Sequence, residues 1–440
     1  MDLESLKQIS QDVLKLAKNA GASSAECDVS FSTGQSVSVR KGETENIEYN
    51  RDKGVSVTVY FGQQKGNASS SDLSAQALKD TVQAACDIAK FTAKDEFCGL
   101  ADASLMAKTI PDLDLYYPWN IGVDDALEIA KRCEAAALAV DTKRITNSEG
   151  ASVSTNEGVF AYANSHGFIG GYPSSRHSIS CSVIAGDGEA MQRDYWYSSA
   201  RDTHDLESAE FIGKTAGERT IRRLGARPMK TGQYPVLFEA NLASGIISSL
   251  ISAISGGNLY RKSSFLLDSL GKQIGASLLN IEELPHIKKG VASSAFDDEG
   301  VATKSRKLVG NGVLNGYVMG SYSARKLGLQ STGNAGGSHN LIVQSTHKAA
   351  DLLTMMGTGL LVTEVLGHGM NMVTGDYSRG AAGFWVENGV IAHPVEEITI
   401  ASNMKEMLNQ IIAVGDDAIK HNSKQTGSIL IENMTVAASQ

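Results

Sequence analysis

With 440 residues, 42% hydrophobic and 20% charged, the chain has enough apolar material for more than one core and is not a disordered polyelectrolyte. Its net charge of −9, with basic runs no longer than Arg222-Arg223 or Lys288-Lys289, argues against DNA or RNA as the main ligand, because displacing counterions takes a concentrated basic surface. Charges recur through the first twenty positions and no run of about 18 apolar residues occurs, so neither a secretory signal nor a membrane span is expected, and a cytoplasmic location is.

The first expected element is an amphipathic helix over 3–20. Leu6, Ile9, Val13 and Leu16 recur at helical spacing, Asp2 can cap the start, and Gly21 ends it. Alternation follows: Val37 and Val39, then Val55, Val57, Val59 and Phe61, predict strands with one buried face. Ser71-Asp72 opens a second helix carrying Leu78, Val82, Ala85 and Ala89. A third spans 123–140, with Asp124 and Asp125 at the positive end of its dipole. From 145 to about 199 the chain reads as strand again. There Asn147-Ser-Glu-Gly-Ala-Ser-Val-Ser echoes Arg51-Asp-Lys-Gly-Val-Ser-Val-Thr, which suggests a shared turn-and-strand solution. A helix at about 205–224 closes this half, with Gly225 and Pro228 as stop signals.

The second half opens on a short strand at 232–238. A helix over 240–255 follows, with Ile246, Ile247, Leu250, Ile251 and Ile254 on one face and serines over most of the rest. Short strands and Gly-rich turns fill 291–345; helices are expected at about 347–356 and 402–413, and a last strand from Ser428. Antiparallel strands with few, segregated helices give an α+β fold. The expected division is an N-terminal α+β domain over 1–226, a layered sandwich of helices on an antiparallel sheet, and a mostly antiparallel, barrel-like domain with a few helices over 227–440.

Local chemistry is sparse. Five cysteines without a CxxC disfavour a disulfide framework or a zinc knuckle; Cys27, Cys86, Cys133 and Cys181 lie on apolar faces and read as buried, leaving Cys98 in a loop. No His-Glu dipeptide occurs, so the HExxH zinc device is missing, and no GxSxG elbow is present. His339 and His347 are the only histidines closer than nine apart. Gly310, Gly312 and Gly316 sit among hairpins, which is no dinucleotide fingerprint. Asp297-Asp-Glu-Gly lacks EF-hand spacing and reads as a solvated turn.

Three segments carry a resemblance. The stretch 361–397, with Gly367-His-Gly-Met-Asn-Met and Asp376-Tyr-Ser-Arg-Gly-Ala-Ala-Gly-Phe-Trp, resembles the C-terminal signature of the TldD/PmbA family. Ala295-Phe-Asp-Asp-Glu-Gly and Gln330-Ser-Thr-Gly-Asn-Ala-Gly-Gly-Ser-His-Asn are similar to it as well, and element order agrees from about residue 25 onward. The likeness is to the PmbA (TldE) type. It implies a subunit of a heterodimeric zinc metalloprotease that handles extended or unfolded peptides in proteolysis and peptide maturation. The TldD type carries HExxxH on a helix and a late cysteine as zinc ligands.

Aligned on Tyr260-Arg-Lys-Ser-Ser-Phe, the resemblance puts the two histidine positions near Ile247 and Ser252, the glutamate near Ser248 and the cysteine near Asn422. An aliphatic side chain cannot donate to a metal and a neutral hydroxyl is a poor zinc ligand. The implied chain has no catalytic residue, metal ligand or cofactor of its own; zinc belongs to a TldD-like partner, and a homodimer is possible when the chain is alone. Asn334, His339, Arg379 and Trp385 sit in the most distinctive loops and are candidates for contact with peptide, with turn formation and packing an equal alternative. Two other readings compete: a homodimeric protein-binding adaptor or modulator without peptidase role, and an independent hydrolase that would depend on His339.

Overall fold

The computed structural model describes residues 1–438. Helix α1 (Leu3–Asn19) starts where the Asp2 carboxylate accepts the Ser5 amide at 2.8 Å, and it buries Leu6, Ser10, Val13 and Ala17 along one stripe. Three strands follow, β1 (Ser24–Arg40), β2 (Glu43–Phe61) and β3 (Gln64–Ser70), then α2 (Ala75–Phe91), capped by Ser74, and α3 (Val123–Leu138). Strands β4 (Ile145–Asn164), β5 (Ile169–Ala185) and β6 (Gln192–Ala200) and helix α4 (Ala209–Arg222) complete this part. The six strands form one antiparallel sheet in the order β3-β2-β1-β4-β5-β6.

Period-two burial explains how the helices attach. Cys27, Val29, Val55, Val57 and Val59 pack with α1 and α2, while Val37, Val39, Val153, Ile179, Cys181 and Val183 pack with α3 and α4. Cys27, Cys86, Cys133 and Cys181 are buried and Cys98 is half-buried, as their positions in the sequence suggest. Helices α3 and α4 meet closely at Gly213, where a Cβ would run into the Cys133 carbonyl. The strands are longer than expected. Asn147 and Arg51 both lie inside paired strands, not at turns, because β4 and β2 run through their glycines without reversing.

The remaining elements are β7 (Gly232–Phe238), α5 (Ala240–Ala253), α6 (Gly256–Tyr260), β8 (Ile281–Glu283), β9 (Arg306–Gly310), β10 (Val313–Leu314), α7 (Ser321–Lys326), β11 (Leu341–Val343), α8 (Leu352–Met356), β12 (Gly359–Leu366), β13 (Asp376–Glu387), β14 (Val390–Asn403), α9 (Met404–Asn409), β15 (Ile411–Val414), β16 (Lys424–Gln425) and β17 (Ile429–Ala438). One sheet runs β14-β13-β12-β7-β17-β15, and β14 pairs with β17 as well, through Ile398–Ala438 to Ala401–Thr435. That extra pairing closes five strands into a ring, so the barrel-like expectation holds. Pairing is antiparallel except for β7 with β12 and β11 with β16. A smaller sheet runs β10-β9-β8-β11-β16.

The helix expected over 402–413 is shorter. It ends at Asn409, and Ile411 opens β15, because Ile411 and Ala413 pair with Ile431 and Leu430 of β17 instead of extending α9, a choice the β-branched Ile411-Ile412 favours. Helix α5 supplies the core of this part: Ile246, Ile247, Leu250 and Ile251 pack with Val236, Phe238, Val362, Ile400 and Ile431. Among the described residues no helix is long and apolar enough to cross a membrane.

Candidate functional site

Helix α5 follows β7 through Glu239 and lies against β12 and β16. Its residues divide by face. Ile247 is fully buried in the core. Ser244, Ser248 and Ser252 recur at i, i+4 and i+8 along a half-buried stripe. The Ser248 hydroxyl donates to the Ser244 carbonyl at 2.8 Å, and the Ser244 hydroxyl to the Asn241 carbonyl at 2.7 Å. The Ser252 carbonyl accepts from Ser255 Oγ at 2.9 Å and Asn258 Nδ2 at 2.8 Å. Asn422 lies in the turn before β16, where its Oδ1 accepts the Tyr197 hydroxyl at 3.3 Å, tying the turn to β6.

An aliphatic group inside the core, hydroxyls folded back on their own helix and a neutral amide do not fit a zinc ion. Among the described residues no three His, Cys, Asp or Glu side chains gather in a way that could hold a metal.

Two of the loop candidates come together on one carboxylate. Glu283 is 1% exposed and accepts from Asn334 Nδ2 at 2.7 Å, from the His339 backbone amide at 2.9 Å and from Arg306 Nε at 2.7 Å. Asn334 Oδ1 accepts from Arg306 Nη2 at 2.9 Å, and the His339 Nε2 atom pairs with the Gly333 carbonyl at 2.9 Å. Their polar groups therefore brace the 330–340 loop onto β8 and β9. Arg379 and Trp385 lie elsewhere, on β13. Arg379 donates to the Gly367 carbonyl and holds the start of the 367–375 loop. Trp385 meets Tyr234 edge-on at 4.9 Å and donates to Glu387 at 3.0 Å.

Asp297 overturns the solvated-turn reading. It is 3% exposed, and its carboxylate accepts the amides of Glu299, Val301 and Ala335, each at 2.9 Å. Burial pushes its carboxyl up to about 7, with the neighbouring Glu299 adding to the effect and the three amides opposing it. Glu26 across the junction is raised by burial as well, although the Tyr60 and Tyr162 hydroxyls donate to it at 2.8 and 2.9 Å.

Two groupings have no local sequence signal, since their members come from distant segments. Arg219 of α4 forks onto Glu239, at 2.8 and 3.0 Å, and reaches Asp194 at 3.3 Å. Arg223 pairs with Glu364 of β12. These contacts clamp the first part of the chain to the N-terminus of α5. The second grouping is a cleft of about 780 Å3 where β5 and β6 face the loops at 287–291 and 418–421.

The long antiparallel sheet and the closed ring of strands packed with α5 define an α+β fold. Residues 25–89, 116–224 and 231–438 match, in turn, domain 1, the central domain and the C-terminal domain of the PmbA/TldA metallopeptidases. The chain belongs to this PmbA/TldD family. It is 50% identical to the metalloprotease PmbA homolog of Haemophilus influenzae, covering 99% of this chain and 96% of that one. It is 49% identical to the metalloprotease PmbA of Escherichia coli, covering 98% and 96%. Among solved structures, a Bacteroides thetaiotaomicron protein named for a proposed role in modulating DNA gyrase superposes with a TM-score of 0.93 at 31% identity, covering 98% of this chain and 99% of that one. TldE from Thermococcus kodakarensis shares the fold, with a TM-score of 0.86 at 20% identity over 98% of this chain and all of that one.

Proposed function

We propose that this chain is the non-catalytic subunit of a two-chain zinc peptidase, shaping the channel for extended or unfolded peptides while a TldD-like partner carries the metal. The observation that carries the reading is the donor set on α5. The family is a metallopeptidase family, yet Ile247 is sealed in the core and Ser248 is bonded to its own helix. A carboxylate and imidazoles would be needed there for a metal and a general base. The fold is retained around a helix that now serves packing. Pairing with a partner of the same fold closes a groove and keeps bulk water from the metal that the partner supplies, and a bound peptide is held through its backbone by strand addition.

The test is to purify this chain, a TldD-like chain and their mixture, and to follow cleavage of an unfolded peptide with and without zinc. The mixture cleaves and this chain alone does not. Strong zinc-dependent cleavage by this chain alone would falsify the assignment. Recovery of the purified chain as a homodimer is compatible with it, provided the partner displaces one copy.

A further inference from the structure

The cleft beside β6 carries more positive charge than its surroundings neutralise. Arg176 of β5, Arg201 just past β6, Lys288 and Lys420 all line it. None of the four has a carboxylate oxygen within 4.0 Å among the described residues, whereas the neighbouring Lys289 is paired with Asp202 at 2.6 Å and Asp205 at 3.2 Å. The other acid on the wall, Glu207, accepts the Trp196 indole at 3.0 Å. Arg201 is held by backbone alone, donating to the carbonyls of Ser175, Gly290 and Val291 at 3.2, 3.1 and 3.0 Å. Arg176 donates through Nε to Ser199 Oγ at 3.0 Å, and its two terminal nitrogens have no protein acceptor among the described residues.

Burial works against these charges. It lowers Arg176, and it brings Arg201 down to about 10 with help from the nearby Arg176. The same two causes, burial and the charge of Arg176, lower His421 on the opposite wall. Partly desolvated cations without counter-charges are costly in a chain whose net charge is −9, and an anion in the cleft removes that cost. A guanidinium with a free fork matches a carboxylate in a two-bond arrangement.

The surroundings favour a peptide as the carrier of that carboxylate. Strand β6 is the last in its sheet and no further strand pairs with it among the described residues, so an extended segment can add as a further strand beside the cleft. Gln425 of β16 also lines the cleft, and β16 lies against α5, which places the cleft next to the helix discussed above. From this geometry we infer that the cleft is a subsite for the carboxylate of an extended peptide, its C-terminal group, with Arg176 as the fork and Lys288 and Lys420 as supporting charges. This rests on the peptide-handling reading, but its readout is binding to this chain alone, and cleavage by the mixture plays no part in it.

Calorimetric titration tests it with an N-acetylated pentapeptide of alanine and valine, as free acid and as C-terminal amide, at low salt, and with inorganic phosphate as a third ligand. The acid binds at least about tenfold more tightly than the amide, and salt erodes the difference because the contact is between charges. Arg176→Gln abolishes the preference and Lys420→Gln reduces it, each with an unchanged circular dichroism spectrum. Equal binding of acid and amide, or no binding of either, overturns the inference. So does a preference that survives in a folded Arg176→Gln protein. Phosphate binding without any preference for the peptide acid reassigns the cleft to a free anion and overturns the peptide assignment. A mixture without peptidase activity would contradict the proposed subunit role while leaving this comparison intact.

Discussion

Glu283 shows how much can depend on one side chain. It is buried at the end of a three-residue strand and gathers a guanidinium from β9 and an amide side chain and a backbone amide from the 330–340 loop. Removing it leaves Arg306 and the 330–340 loop with unpaired donors. Breaking a buried pair in this way costs about 3–5 kcal/mol, so Glu283→Ala should lower the urea midpoint sharply. His339→Ala keeps the backbone amide bond to Glu283 but loses the bond to the Gly333 carbonyl and a buried ring, and should cost less, about 1–3 kcal/mol in the same assay. A comparable loss from both variants would contradict this division of labour. Asp297 has a different signature. Its folded carboxyl is raised to about 7 from an ordinary value of 3.8, so the folded protein holds a proton that the unfolded chain has released across that interval. Stability from this group is present below about pH 4 and is lost as pH rises to about 7. Unfolding free energies measured from pH 4 to 8 should fall along that span, and Asp297→Asn should flatten the fall. An identical pH profile in the variant would rule the group out as its source.

Among the elements, α5 was the most legible. Its apolar stripe at helical spacing places Ile246, Ile247, Leu250 and Ile251 on the core face, where the structure has them. Ile247→Ala should cost about 2–5 kcal/mol by leaving a cavity. Ser248→Ala removes a hydroxyl bonded only to its own helix and should stay within about 0.5 kcal/mol. Thermal unfolding of the two variants checks this, and a large loss from Ser248→Ala would mean that the serine stripe does more than cap carbonyls. The helices α1 and α2 were legible for the same reason, since period and caps are local. The long strands were less so. Glycines at 34 and 158 look like turn punctuation, yet each lies within a paired strand, because neighbouring strands on either side hold the backbone extended. At the end of α9, the pull of β17 on Ile411 decided against helix, and a window centred on residue 411 contains no information about residue 431. The candidate site divides in the same way. The residue types on α5 are legible directly, while the roles of Asn334 and His339 depend on Glu283, about fifty positions away in the chain.

Across the whole molecule, the ring of strands closes through residues 398–401 and 435–438, and α4 is clamped to the start of α5 by Arg219 and Glu239. Further ties run from Arg325 to the carbonyls of Phe97 and Gly99 and from the Tyr322 hydroxyl to Asp95. A fold held together at this many points does not depend on any one helix for its shape, which the proposed role as a subunit contributing surface to a shared channel requires. The central claim is that the metal is never this chain's own. Equilibrium dialysis against zinc, followed by metal analysis of this chain, of a TldD-like chain and of their purified complex, addresses it directly. The account predicts one zinc per two-chain complex, the same zinc content in the partner alone, and none retained by this chain after a brief wash with a weak chelator. One tightly held zinc per copy of this chain, kept after that wash, would contradict it.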